Sequence, residues 1–139
     1  MLRLDVPTAL TFLRANSHAI LATTRGDGRP QLSPIVASVD VDGQIAISSR
    51  ETAVKVKNLR RDPFASLCVV SDGFYGEWVQ LEGPATVVSL PDALEPLVEY
   101  YRSLSGEHPD WDEYRAAMRR DERVIIRVRP ERAGPNVSG

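Results

Sequence analysis

A short basic segment, Ser48 to Asp62 (SSRETAVKVKNLRRD), carries the side chains best suited to chemistry in this chain. Its cations are Arg50, Lys55, Lys57, Arg60 and Arg61, and the two lysines are the only lysines in the sequence. Hydroxyl groups stand where a helix is expected to begin, on Ser48, Ser49 and Thr52. Free amides, hydroxyls and cations at a helix N-terminus suit a phosphate group. The segment is equally compatible with a solvated basic helix, because runs of charge are commonly exposed surface.

Other chemistry finds little support in the sequence. It contains no G-x-S-x-G motif, P-loop or dinucleotide fingerprint. His18 and His108 lack metal-ligand spacing to each other and to Cys68, and the acids around His108 fit helix capping better than a cation site. We therefore expect no metal and assign no catalytic residue. One anion site and few nucleophiles or bases favour a phosphorylated cofactor that carries its own chemistry, or a binding or storage module.

The elements that must position the basic segment are mainly strands. An amphipathic helix is predicted from Val6 to near Asn16, and an alternating strand from Gln31 to Val41 is followed by the two-residue hairpin signal Asp42-Gly43. The basic segment follows the returning strand and ends at Asp62-Pro63. The remaining strands are predicted at His18–Thr24, Ala65–Val70, Glu77–Ser89 with a bulge or barrel corner at Gly83-Pro84, and Val124–Val128; two helices are predicted around Leu94–Leu104 and after Asp110.

About six strands with Asp-Gly turns predict a mainly β, α+β fold built on a small antiparallel barrel. We expect one domain over residues 1–130 and a loose tail over 131–139. The net charge of −2 gives no reason to expect a nucleic-acid partner, and no apolar run approaches the length of a membrane span. A single cysteine and the lack of a signal-peptide pattern lead us to expect a cytoplasmic protein.

Several segments resemble a known superfamily in order and spacing. They are ILATTRGDGRPQLSPI (Ile20 to Ile35), KVKNLRRDPFASL (Lys55 to Leu67), Glu82-Gly83, and YYRSLSGEHPDWDEYRAAMRRDERVIIRV (Tyr100 to Val128). The chain resembles the pyridoxamine 5′-phosphate oxidase-like split β-barrel oxidoreductases. Its GEH-x-DW-x-x-Y segment is most similar to the actinobacterial branch that binds the deazaflavin coenzyme F420.

The resemblance implies a homodimer with two cofactor sites at the interface and a small-molecule substrate. The phosphate of the cofactor would lie against Ser48, Ser49, Arg50, Lys55 and Asn58. The ring would lie along the second strand, against Gln31, Ser33, Pro34 and Ile35. The partner subunit would contribute Trp78, Val79 and Glu107. Arg60 and Arg61 would attract the acidic tail of F420 or remain plain surface charge.

These expectations give a leading hypothesis and open alternatives. The leading one is an F420-dependent oxidoreductase that passes a hydride from reduced F420 to an unsaturated or conjugated organic substrate. One alternative keeps the fold but makes the cofactor FMN, since both cofactors carry a phosphate. Another is a non-catalytic protein that binds F420 or a tetrapyrrole. The identity of the substrate is not readable from the sequence.

Overall fold

The computed structural model describes residues 4–134 of the chain. The helices are α1 (Val6–Ala15), α2 (Val54–Arg61), α3 (Leu94–Ser105) and α4 (Trp111–Arg120). The strands are β1 (His18–Thr24), β2 (Pro30–Val39), β3 (Ile45–Arg50), β4 (Phe64–Val70), β5 (Trp78–Val88), β6 (Arg123–Val128) and the short β7 (Arg132–Ala133).

The strands form an antiparallel barrel in the order β4-β1-β2-β3-β6-β5, which a β4–β5 pairing closes. Alternate residues of every strand point into one apolar core, where Leu21, Ile47 and Leu81 are fully buried. On α1, Leu10 and Leu13 pack into the same core, and Asp5 caps this helix by accepting a hydrogen bond from the Thr8 amide at 2.8 Å. The predicted mainly β, α+β barrel is confirmed.

Helices α3 and α4 cover the outer face of β3 and β6. There, Leu97 and Tyr114 pack against Ala46 and Ile125, which point away from the barrel interior. Both faces of β3 and β6 are therefore buried, which explains why their apolar residues are nearly continuous rather than alternating. As predicted, Asp110 caps α4 by accepting a hydrogen bond from the Glu113 amide at 3.1 Å. No helix among residues 4–134 is long and apolar enough to cross a membrane.

The predicted barrel corner at Gly83-Pro84 is confirmed. Strand β5 pairs with β4 as far as Pro84 and with β6 from Ala85 onward. A Cβ atom at Gly83 would lie 1.8 Å from the backbone oxygen of Arg129, so only glycine permits the chain after β6 to cross here. Continuing from this crossing, the Glu131 amide donates to the Glu82 carbonyl at 2.9 Å.

Two local predictions were wrong. Ser48 and Ser49 lie on β3, and α2 begins after Ala53 without a side-chain cap, so the hydroxyls do not cap this helix. The hairpin after β2 has a loop of three residues, 41–43, because the Asp40 amide donates to the Gln44 carbonyl at 2.8 Å. Within the predicted tail, Arg132 and Ala133 form β7, which pairs with Leu81 and Glu82 of β5; residues 135–139 lie outside the described range, and the domain boundary stays a prediction.

Candidate cofactor-binding groove

A groove opens where β2 and β3 separate. β2 pairs with β1 over Pro30–Val36 but with β3 only over Ala37–Val39. Beyond the pair Ala37↔Ile47 the facing edges of both strands carry no ladder, although β3 continues to pair with β6 on its other side. The Ala37 amide donates to the Ser17 carbonyl on the β1 side at 2.8 Å, so even-numbered residues of β2 direct their amides toward β3. Pro34 has no N–H to offer there, which is consistent with the separation of the strands.

The groove has a volume of about 680 Å³ and brings together six of the residues predicted to bind cofactor. They come from β2, β3 and α2, three elements that are distant in sequence. These residues are Pro34, Ile35, Ser48, Ser49, Arg50 and Lys55. Helices α3 and α4 and the start of β6 complete the lining.

One end of the groove is cationic. Arg50, Lys55 and Arg123 all line it, and Arg50 is the direct cross-strand partner of Arg123. None of the three has an acidic partner within 4.0 Å among residues 4–134. Partial burial, and then the positive charge of Arg123, hold the pKa of Lys55 below its usual value. Like charges placed opposite each other destabilise a sheet, so this end of the groove is electrostatically suited to an anion.

Arg123 was missed by the sequence analysis. The apolar alternation Val124, Ile126, Val128 predicted the last strand but gave no function to the residue before it. What places Arg123 beside Lys55 is the β3–β6 register, which sets it opposite Arg50. Without that register, an arginine at the start of a predicted strand gives little indication that it binds a ligand.

Two buried polar atoms near the groove have no hydrogen-bond partner among residues 4–134: Ser33 Oγ and Arg123 Nε. Ser33 shares a strand face with Ile35, which lines the groove. An unsatisfied buried polar group costs about 1–3 kcal/mol. Arg123 lines the groove, so a polar ligand there would supply the missing partner of its Nε, whereas predicted Ser33 does not line the groove of this subunit.

The other wall of the groove is aromatic. It contains Tyr100, Tyr101 and Tyr114. The Tyr100 hydroxyl donates to the Val36 carbonyl at 2.8 Å, and the Tyr114 hydroxyl donates to the Leu97 carbonyl at 2.8 Å. Burial raises the pKa of Tyr100, and burial together with the neighbouring Tyr100 raises that of Tyr114 to about 12. These two phenols therefore stay neutral and act as fixed donors that hold the wall in place.

The Tyr101 ring belongs to a larger aromatic cluster. Its centroid lies 5.1 Å from that of Tyr114, 5.1 Å from His108 and 5.7 Å from Trp111. Such tilted and edge-on contacts favour a rigid wall. Predicted Glu107 does not line the groove of this subunit, and its carboxylate accepts hydrogen bonds from Trp111 Nε1 at 2.9 Å and Arg102 Nε at 2.8 Å. These bonds hold the pKa of Glu107 below its usual value.

Several predicted residues lie outside the groove. Asn58 is buried and joins α2 to β1, donating from Nδ2 to the Thr23 hydroxyl at 3.1 Å. The side-chain Oδ1 of Asn58 accepts a hydrogen bond from Arg61, which also donates to the Thr24 backbone carbonyl at 2.7 Å. Arg60 is engaged as well, by a carboxylate and a hydroxyl of the same chain. Asn58 and Arg61 thus link α2 to β1, and Arg60 is neutralised by Glu51, whereas both acceptors of Arg61 are uncharged.

Gln31, Trp78 and Val79 also do not line the groove of this subunit. The Gln31 side chain donates to the Leu32 carbonyl at 3.2 Å, on the strand that leads to the groove. Val79 is buried in the barrel core, so only its backbone is available to another molecule. Trp78 is half-buried on the opposite face of β5. A role for Trp78 depends on a second subunit, as the sequence analysis expected, and stays a prediction.

The face of β2, β1 and β4 that points away from the barrel interior, called here the outer sheet face, carries exposed apolar side chains. Ile20, Leu32, Val36 and Phe64 are 38%, 61%, 39% and 44% exposed on it. Ile20 is paired with Pro34 on one side and with Cys68 on the other, so the face is continuous across three strands. Because Val36 also lines the groove, the outer sheet face and the groove share an edge. Contiguous apolar patches of this kind mark interaction surfaces.

No three His, Cys, Asp or Glu side chains within residues 4–134 are arranged to hold a metal ion. Neither histidine lines the groove. His108 Nδ1 instead accepts a hydrogen bond from the Asp110 amide at 2.9 Å.

With cations at one end and an aromatic wall beside them, the groove can bind and orient an organic anion that has a planar part.

Comparison with known proteins agrees with this architecture. The sequence profile of the family described as pyridoxamine 5′-phosphate oxidase matches residues 6–135. Among solved structures, the conserved hypothetical protein Rv2991 from Mycobacterium tuberculosis is 27% identical, with a TM-score of 0.75 over 94% of this chain and 83% of that one. An F420 reductase is 22% identical, with a TM-score of 0.68 over 89% of this chain and 94% of that one. HutZ, the haem storage protein from Vibrio cholerae, is 16% identical, with a TM-score of 0.72 over 98% of both chains.

Proposed function

The chain belongs to the pyridoxamine 5′-phosphate oxidase family, and on that premise we propose that it is an F420-dependent oxidoreductase. It would pass a hydride from reduced coenzyme F420 to an unsaturated or conjugated organic substrate. The observation that carries this proposal is the groove itself, in which unpaired, partly buried cations face an aromatic wall. The structural likeness to an F420 reductase, at 22% identity, adds the particular cofactor.

In this proposal the residues of the chain bind the cofactor, orient it and exclude water from it. Lys55 and Arg50 hold the phosphate of the cofactor by charge-assisted hydrogen bonds. Pro34 and Ile35, which both line the groove, would contact the ring along β2, with Ser33 next to them on the same strand. When bound, reduced F420 supplies the hydride from ring carbon C5. The protein contributes orientation rather than a dedicated catalytic acid.

We place the second subunit of a homodimer on the outer sheet face. The groove is open to solvent, and its β2 wall is also the edge of that face. A second copy packed there would cover Leu32 and Val36 and narrow the groove, bringing its own Trp78 toward the ring. The support for this arrangement is the exposed apolar area, which an isolated subunit would leave in contact with water.

The cations do not by themselves distinguish F420 from FMN, since both cofactors carry a phosphate. Purified apoprotein should therefore be titrated with each one, following Trp fluorescence, across a series of salt concentrations. We expect F420 binding with a Kd on the order of micromolar, weakened by salt, and weaker binding of FMN. Oxidation of reduced F420 in the presence of conjugated acceptors then tests turnover.

The other outcomes assign the alternatives. Tighter binding of FMN, with flavin absorbance in the purified protein, would place the protein among flavin oxidoreductases. Tight F420 binding without turnover against any acceptor would indicate a carrier. Binding of haem in preference to both would indicate a tetrapyrrole-binding protein, although neither histidine faces the groove. Each of these results contradicts the proposed reaction.

A further inference from the structure

Arg123 is the first residue of β6 and follows a tight turn after α4. Glu122 follows the end of α4 with a φ of 51°, in the left-handed region, and the chain then enters β6 at Arg123. Arg123 is half-buried and lines the groove, yet its Nε is buried without a hydrogen-bond partner among residues 4–134. A guanidinium presents several donors in a rigid planar arrangement, so an unfilled Nε leaves part of that arrangement unused.

The other arginine and lysine side chains within residues 4–134 either have a carboxylate partner or are exposed to solvent. Half-buried Arg115 and Arg127 have carboxylate partners, at 3.1 Å on Glu95 and 3.8 Å on Asp40. Within residues 4–134, the other arginines and the lysine that lack such partners, apart from those at the groove, are exposed to solvent. Within residues 4–134, Lys55 and Arg123 are the two cations that are both half-buried and without an acidic partner.

A partly buried cation is unfavourable unless an opposite charge accompanies it. Here two such cations line the same groove and repel each other, since the charge of Arg123 contributes to the lowered pKa of Lys55. One anion between them would relieve both the desolvation and the mutual repulsion. A phosphate group suits this position, because its oxygens match the planar donors of arginine and tolerate a lysine point charge.

We propose that Arg123 and Lys55 together bind a single phosphate group, with Arg123 donating through Nε and a terminal nitrogen. The inference rests on the proposed function in taking this phosphate to be that of the cofactor. It assigns the phosphate to the space between α2 and the start of β6, where it joins two elements that share no hydrogen bond across the groove. The guanidinium geometry, and not only the charge, determines the affinity.

The test is a cofactor titration of Arg123→Ala and Arg123→Lys, with Arg119→Ala as the matched control. Arg119 is an exposed arginine on the neighbouring helix α4, outside the groove. We expect Arg123→Ala to raise the Kd of the cofactor roughly 10- to 150-fold. Arg123→Lys should recover only part of the loss, and Arg119→Ala should bind as the wild type does. Circular dichroism and the Tm of each variant establish that it is folded.

Wild-type affinity in folded Arg123→Ala would overturn the inference, as would an equal loss in Arg119→Ala. A second measurement does not depend on the cofactor: the increase in Tm caused by inorganic phosphate, compared with chloride at equal ionic strength. We expect an increase in the wild type that is lost in Arg123→Ala. If neither F420 nor FMN binds the wild type but this increase depends on Arg123, the proposed function fails and the phosphate site stands. If phosphate gives no increase and neither cofactor binds, the site is refuted as well.

Discussion

Replacing Lys55 by alanine is expected to weaken cofactor binding without weakening the fold. The structural basis is that Lys55 is half-buried, lines the groove and has no acidic partner among residues 4–134. In the unliganded protein its charge is opposed by burial and by Arg123, which together lower its pKa. It contributes no ion pair whose loss would destabilise the protein, so its role is directed to a ligand.

The expected magnitude follows from the contact that Lys55 would make. A hydrogen bond from an ammonium to a phosphate is worth about 1.5–3 kcal/mol, which corresponds to a Kd raised roughly 10- to 150-fold. The loss should shrink at high salt, because screening already weakens the wild-type contact. For stability, removal of one of two neighbouring cations relieves repulsion, so the Tm of the apoprotein should stay the same or rise.

The assay combines a fluorescence titration with F420 and a thermal melt of the same sample. Lys57→Ala is the matched control, because Lys57 lies on the same helix, two residues away, but is exposed and outside the groove. An unchanged Kd in Lys55→Ala would refute the phosphate assignment. An equal rise in the Kd of Lys57→Ala would show that general charge, not the groove, attracts the ligand. A large fall in the Tm of Lys55→Ala would contradict the view that its charge serves a ligand.

Three further predictions address pH, packing and assembly. The pKa of Lys55 is lowered, so the affinity for the cofactor should fall as the pH rises through a value below the pKa of an ordinary lysine. Lys55→Arg should remove this pH dependence. A pH-independent Kd in the wild type would contradict the prediction. Gly83→Ala would place a Cβ 1.8 Å from a backbone carbonyl oxygen and should cost roughly 2–4 kcal/mol, about 5–15 °C in Tm, whereas Gly73→Ala has room and should cost little. Leu32→Glu on the outer sheet face should convert a dimer to a monomer in light scattering, while Val41→Glu, 98% exposed on a hairpin loop, should not; a wild-type monomer would refute the dimer.

Most of the secondary structure could be predicted from the sequence, because local physics decides it. The cap at Asp110, the stop at Asp62-Pro63 and the alternation of the strand from Gln31 all appear in the structure. The errors arose where tertiary contacts overrode local signals. Ser48 and Ser49 read as helix caps, but pairing of β3 with β6 extends the strand through Arg50. The short strand β7 carries no pattern of its own and forms because β5 offers it a free edge.

The groove was predicted in part. Charge density on one segment identified Arg50 and Lys55, and the resemblance added Pro34 and Ile35, all of which line it. The same segment also suggested Asn58, which instead joins α2 to β1 inside the protein. Sequence proximity cannot separate these cases, because Lys55 and Asn58 lie three positions apart on one helix, on neighbouring parts of its surface, and only tertiary packing decides which of them is buried.

What the sequence by itself determined is the set of elements, the antiparallel barrel and the presence of a concentrated cationic segment. Periodicity, turn residues and charge are properties of neighbouring residues, so they can be recognised in the sequence. What only the tertiary structure decided is which cations have partners. Arg60 is paired with the Glu51 carboxylate, while Lys55 shares the groove with Arg123, which lies 68 positions away in the sequence and reaches the groove through the register of β3 and β6. Whether a charge is neutralised depends on what surrounds it in space, and that depends on the folded arrangement of distant strands.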